Sequence, residues 1–274
     1  MITNKTVKLR RNAMKTLKLL VLAGALSITS LTHAVLIEGS LGVVPNNIIN
    51  LNDYDAFAFY GVIGKGSTYQ IISGDATTDA NNVGQFSNPQ IQNSGTSFFC
   101  GTLAFYPGIS YNNAVSTIGT PTQNNATETS EALYINQCND GVSFTLTTTL
   151  FASEETISFY LINYNARSNF SAVLSRNNTE ICHYSLANQI LPTTSNGNGT
   201  GDGNTSGILT LTVSGEIGDL LTFTNQTEYA GVSNTQFGNV GIAAVTALAI
   251  PEPGTWALIV VGLGTLIGCR CFRK

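Results

Sequence analysis

The feature that most constrains this chain is a two-residue rhythm. Val142-Ser143-Phe144-Thr145-Leu146-Thr147 alternates apolar and hydroxyl side chains. In an extended strand that spacing turns one face to a core and the other to water. Residues 156–163, 171–176, 180–186, 208–213, 219–224 and 237–250 continue as short strand-like runs. Arg176-Asn177-Asn178-Thr179 reads as a turn between two of them. Asn139-Asp140-Gly141 predicts a hairpin joining residues 132–137 to 142–151, because its central residues tolerate positive φ. Upstream, residues 35–38, 41–44, 55–63, 68–73 and 96–106 read as strands. The polar stretches 76–95, 107–129 and 190–207 read as loops, the last as a flexible surface loop dense in Gly and Asn. No stretch between Val35 and Ile250 carries a convincing amphipathic helix, although residues 128–134 would fit a single helical turn. Ten to twelve short strands with regular turns predict an all-β fold, a single β-sandwich. The closing run, residues 208–250, resembles in style the last strands of jelly-roll domains.

Two apolar ends bracket this body. Lys5, Lys8, Arg10, Arg11, Lys15 and Lys18 precede an uncharged stretch, Leu19 to Leu31, and Thr32-His33-Ala34 ends it with small residues. That is the pattern of a secretory signal peptide, residues 1–34, cleaved after Ala34. Met14 offers a second start with a complete signal behind it. At the other end Pro251-Glu252-Pro253-Gly254 forms a rigid turn that neither strand nor helix crosses. An apolar run from Trp256 to Gly268 follows, then Cys269-Arg270-Cys271-Phe272-Arg273-Lys274. The uncharged run is shorter than the roughly 20 residues an upright membrane helix needs. Trp256 stands at the polar–apolar boundary, and Arg270, Arg273 and Lys274 stand where cytoplasmic positive charge is favoured.

Residues 251–274 resemble the PEP-CTERM sorting signal. Pro251, Glu252 and Pro253 match its motif, the helix from Trp256 to Gly268 its apolar segment, and Arg270, Arg273 and Lys274 its basic end. The resemblance implies a protein exported by an exopolysaccharide-producing Gram-negative bacterium. It further implies an exosortase, a membrane protease, as partner, with transient residence in the inner membrane and delivery to the cell surface or matrix. The same tail is sometimes called an ice-binding protein C-terminal motif, a label that describes the anchor and establishes no ice binding. An ordinary uncut membrane anchor is the competing reading.

Removing both ends leaves residues 35–250, with three basic residues against fifteen acidic ones, a net charge near −12. Such a body repels nucleic acid and anionic lipid. It suits a soluble extracellular protein; calcium-assisted matrix contact is the functional reading of its acidity, and plain solubility is the competing one. Cys100, Cys138 and Cys182 lie in the body. In an oxidising compartment the expectation is one disulfide, Cys100–Cys138, and one buried thiol.

Chemistry-bearing motifs are sparse. His183 is the body's only histidine, and Gly-x-Ser-x-Gly, His-Glu-x-x-His and phosphate-loop patterns are absent from the sequence. The expectation is no enzyme, no catalytic residue, no metal centre and no required cofactor. Three Cys and His183 lack zinc-ligand spacing. Asp53-Tyr54-Asp55 and residues 196–204 are the oxygen-rich stretches open to calcium, though neither is an EF-hand loop. Glu154-Glu155 reads as a solvated turn. Thr145, Thr147 and Thr149, with Thr210, Thr212, Thr222 and Thr224, form hydroxyl rows that fit ice or polysaccharide, or plain outward strand positions. Tyr60, Tyr106, Tyr111 and Tyr229 are aromatics open to stacking on sugar rings. Two functions follow: a cell-surface or matrix protein associated with exopolysaccharide and biofilm, or a lectin-like carbohydrate-binding module, calcium-dependent in one form.

Overall fold

A computed structural model describes residues 34–61, 70–74, 86–93, 98–102, 109–111, 115–116, 126–129, 131–194, 203–230, 232 and 238–251. In chain order the first strands are β1 (Leu36–Gly42), β2 (Ile49–Asn50), β3 (Ala56–Gly61), β4 (Gln70–Gly74), β5 (Gln90–Gln92) and β6 (Phe98–Thr102). Then come β7 (Ile109–Tyr111), β8 (Val115–Ser116), β9 (Ala126–Thr129), β10 (Glu131–Cys138), β11 (Ser143–Thr149) and β12 (Glu154–Tyr164). The last are β13 (Arg167–Arg176), β14 (Thr179–Gln189), β15 (Thr193–Thr194), β16 (Asn204–Ser214), β17 (Leu220–Glu228) and β18 (Gly238–Ala249). One 3-10 turn, Leu51–Asp53, is the only helix among the described residues. Among them, no helix is long and apolar enough to cross a membrane.

The fold is all-β and sandwich-like. A large sheet runs β1-β16-β12-β18-β3-β4-β8, with β10 on the free part of the β18 edge. A five-stranded sheet runs β14-β13-β17-β11-β5. Apart from the parallel pair β2–β7, the ladders are antiparallel. Apart from the β13–β14 pair, successive long strands from β10 onward alternate between the two sheets. All of them lie in one compact unit, Val35–Ile250.

The alternation explains the core. Ile157, Phe159 and Leu161 of β12, with Leu209, Leu211 and Val213 of β16, point inward from the large sheet. Phe144 and Leu146 of β11, Phe170, Ala172 and Leu174 of β13, and Leu221 and Phe223 of β17 meet them. Phe159 stacks on Phe223 across the gap, with ring centroids 4.0 Å apart and planes at 21°. Phe144 and Phe170 flank Phe223, each at 6.2 Å. Aromatic pairs of this kind add about 1 kcal/mol beyond the area they bury.

β12 and β18 are buried on both faces. Their outer residues Tyr160, Ile162, Ala243 and Ala244 join Phe57, Phe59, Leu51, Ile49 and Ile109 in a second core. The segment around Leu51 and the three-stranded sheet β2-β7-β9 supply that outer covering. This explains why β12 reads as a nearly continuous apolar run rather than a clean alternation.

Four expectations need correction. Asn139-Asp140-Gly141 is a turn, with Gly141 at φ 82, but no hairpin. It carries the chain from β10 in the large sheet to β11 in the other, where β17 pairs with β11. Residues 131–138 are strand, so the one-turn helix over 128–134 does not form. The end of the expected 190–207 loop is the start of β16, and Leu191, Thr205 and Ser206 are fully buried. Finally, Cys100 pairs in register with Leu133, five positions from Cys138 on the same strand. That is about 16 Å along β10, beyond the roughly 7 Å between Cα atoms that a disulfide spans. Cys100–Cys138 is therefore not a bridge this register permits. Cys182 is a free, half-buried thiol.

Candidate functional site

The outer face of the five-stranded sheet carries an ordered array of hydrogen-bonding side chains. It arises because the residues between the core positions of β11, β13 and β17 are Thr, Ser, Asn and Gln. Register aligns them. Gln90, Thr145, Thr224, Ser171 and Ser185 form one row across all five strands. Thr147, Thr222, Val173 and His183 form the next. Gln92, Ser143, Gln226 and Asn169 form a third, in which Ser143 is buried. At about 4.8 Å between strands and about 6.8 Å between rows, the patch measures roughly 19 by 14 Å. Gln92 Nε2 donates to Thr145 Oγ1 at 3.5 Å, and Gln226 Nε2 donates to the Gly141 carbonyl at 3.1 Å.

These rows hold no carboxylate, lysine or arginine. Charge sits at the ends. At one end Arg167 and Glu228 share a row, with Arg167 Nη1 donating to Asn188 Oδ1 at 3.2 Å. At the other, Arg176 grips Asp219 with two hydrogen bonds of 2.8 Å and reaches Glu216 at 2.5 Å. The Arg176 guanidinium holds the Asp219 carboxyl below the usual carboxylate range, and the Asp219 partnership raises Arg176 in turn. Asp219 Oδ2 also accepts from the Glu216 N–H at 2.7 Å, so the trio braces the turn before β17.

The threonine rows divide. Thr145 lies opposite Thr224 and Thr147 opposite Thr222, while Thr149 lies opposite Leu220 at the rim. Thr210 and Thr212 belong to β16 in the large sheet, where Thr210 Oγ1 meets Ser158 Oγ at 3.1 Å. The tyrosine expectation is partly overturned. Tyr60 is fully buried, donates to the Ser87 carbonyl at 3.3 Å, and has its hydroxyl pushed well above the usual range by burial. Tyr229 is half-buried, its ring lying over Gly238. The side chains of Tyr106 and Tyr111 lie outside the described residues. Among the described residues the exposed aromatics are Phe99, stacked on Tyr134 at 6.3 Å, and Tyr164. The phase of the alternation in residues 96–106 was the one signal for Phe99.

Other predicted positions scatter. Asp53 accepts from Asn50 Nδ2 at 2.8 Å, Tyr54 pairs its hydroxyl with Tyr160 at 3.1 Å, and Asp55 accepts from the Ala249 N–H at 2.8 Å. Three neighbours thus do three separate jobs. Among the described residues, no group of three or more His, Cys, Asp and Glu is placed to hold a metal. Residues 196–202 lie outside the described residues. His183 is exposed on β14, with Val173 across the ladder. Glu155 reverses the expectation of a solvated turn: it is fully buried. Its Oε1 accepts from the N–H groups of Phe151 and Ala152, the latter at 2.7 Å. Burial pushes its pKa up to about 7, against those two hydrogen bonds, with Asp55 adding to the rise. Ala34 and Pro251 are exposed just outside β1 and β18. Residues 1–33, Glu252, Pro253, Trp256, Gly268, Arg270, Arg273 and Lys274 lie outside the described residues.

No protein family and no characterised protein matches this chain by sequence. Two solved structures are similar to it at a low level. One is the enzymatically active domain of bacteriophage CBA120 tailspike protein 4, with TM-score 0.33 and 10% identity, over 62% of this chain and 20% of that one. The other is TmCBM61 in complex with β-1,4-galactotriose, with TM-score 0.33 and 11% identity, over 60% of this chain and 90% of that one. Likeness at this level transfers neither topology nor ligand.

Proposed function

We propose that this chain is an exported, non-enzymatic surface or matrix protein whose five-stranded sheet contacts neutral extracellular polysaccharide. The observation that carries the reading is the charge-free patch of three rows on a body of net charge near −12. Hydroxyl and amide groups offer both donors and acceptors, as sugar hydroxyls do. The long 3.5 Å bond between Gln92 and Thr145 gives up little on meeting a polymer, and each new contact adds modestly. Affinity then comes from many contacts along one chain rather than from a deep pocket. An acidic polymer would meet the repulsion of the surrounding body.

The strand order β10-β18-β12-β16 facing β11-β17-β13-β14 supports a jelly roll as the finer description of the sandwich. The tail from Pro251 supports sorting by an exosortase, with loss of the terminal segment and release to the surface.

Affinity electrophoresis through neutral and uronic-acid polysaccharides tests the contact. The native body is retarded by the neutral polymer, and Thr145→Glu with Thr224→Glu removes at least tenfold of that affinity, while Thr212→Glu on the other sheet does not. Equal retardation of all three proteins would sink the reading. Repeating it with EDTA reports whether calcium takes part. Mass spectrometry of the product from the native host, with and without the membrane protease, tests sorting: intact Arg273 and Lys274 in both would rule it out.

A further inference from the structure

We infer that one end of the sandwich interior is a binding site for ordered water. The inward positions of the core strands are apolar along most of their length, but the last inward row is not. Asn163 of β12 lies opposite Thr205 of β16 in the large sheet. Ser168 of β13 lies opposite Thr227 of β17 in the other, and Asn225 stands one inward position along from Thr227. All five side chains are buried. Asn163 Nδ2 donates across the gap to Ser168 Oγ at 2.9 Å and to the Ala166 carbonyl at 3.4 Å. Thr227 Oγ1 is engaged with the carbonyls of Asn139 and Val142 at 2.6 and 3.0 Å. Four polar atoms are left without a protein partner: Asn163 Oδ1, Thr205 Oγ1, and both Oδ1 and Nδ2 of Asn225.

Buried amides and hydroxyls are almost always paired, with protein or with water. Here polar side chains stand where Phe and Leu fill the same layer further along, so the row presents polar atoms that need partners. The donor inventory selects the ligand. A cation would use the oxygens of Asn163, Thr205 and Asn225 but would face the N–H groups of Asn225. The Ala166 carbonyl fixes which side of the Asn163 amide is nitrogen, so Oδ1 is an acceptor that needs a donor. Asn225 Nδ2 is a donor that needs an acceptor. Water supplies both; a metal ion would engage the oxygens but offers no acceptor to Asn225 Nδ2.

A high-resolution crystal structure of the body is expected to place a water within hydrogen-bond distance of Asn225 and of Asn163 or Thr205. Solvent relaxation dispersion of the full chain is expected to report a long-residence water whose signal falls in Asn225→Leu. Because Asn225→Leu could fail to fold, Thr205→Val, which keeps the shape, serves as the second variant and is expected to lower the same signal. An Asn225 amide paired directly with protein, an unchanged signal in the folded Thr205→Val variant, or a metal-strength peak at the site would each overturn the assignment.

Discussion

A carboxyl group without water around it keeps its proton, and Glu155 is placed to do so. With its folded pKa raised to about 7, the native state binds this proton more tightly than the unfolded chain. The stability tied to this group is therefore full below about pH 4.5 and is lost as pH rises through about 7. Glu155→Gln, which mimics the protonated form, is expected to match the parent at pH 4 and to exceed it by roughly 1–3 kcal/mol at pH 8. Urea titrations at the two pH values check this, and a parallel pH dependence in both proteins would refute it. The sequence carried the clue in the phase of the strand: Glu155, Ile157, Phe159 and Leu161 share one face. The adjacent Glu154 hid it, because two neighbouring acids look like a surface. Tyr60 misleads in the same way, since a hydroxyl says nothing about which side of β3 faces the core.

At the scale of elements, the central ladder depends on one position without a side chain. A Cβ on Gly241 would collide with the Leu133 carbonyl and with Tyr134 across the β10–β18 pair. The obstacle is partly backbone, so it cannot swing aside. Gly241→Ala is expected to cost roughly 1–3 kcal/mol and to expose β10 amides to hydrogen exchange before those of β12. Uniform loss of protection across both strands would argue against this local origin. Strand positions in the second half were legible because each run is long and bounded by turn residues. Asn177 and Asn178 both adopt positive φ, at 51° and 62°, and make the β13–β14 hairpin their sequence suggests. Asn139-Asp140-Gly141 uses similar residues to change sheets instead. Local turn chemistry fixes that the chain bends; which strand it meets next is decided by distant partners such as β17. The Cys100–Cys138 expectation failed for the same reason, because register is not a local property.

For the molecule as a whole, the packing of Phe223 between two sheets makes the fold cooperative. Phe223→Ala is expected to lower stability by roughly 3–5 kcal/mol, seen as a single shifted transition by fluorescence and circular dichroism alike. Separate transitions for the two sheets would contradict that coupling. The sandwich was legible from periodicity alone. The hydroxyl face was visible only in pieces: the sequence shows Thr145 and Thr224 as alternating residues, but their juxtaposition needs the β11–β17 register. Nothing local separates Thr210 from Thr224, although they lie in different sheets.

The last strand is secured to its final residue. β12 runs alongside β18 as far as Ala249, whose N–H donates to Asp55 Oδ2, and just past the ladder the Ile250 N–H donates to the Glu154 carbonyl at 2.9 Å. Severing the backbone just past Pro251 would remove none of these bonds.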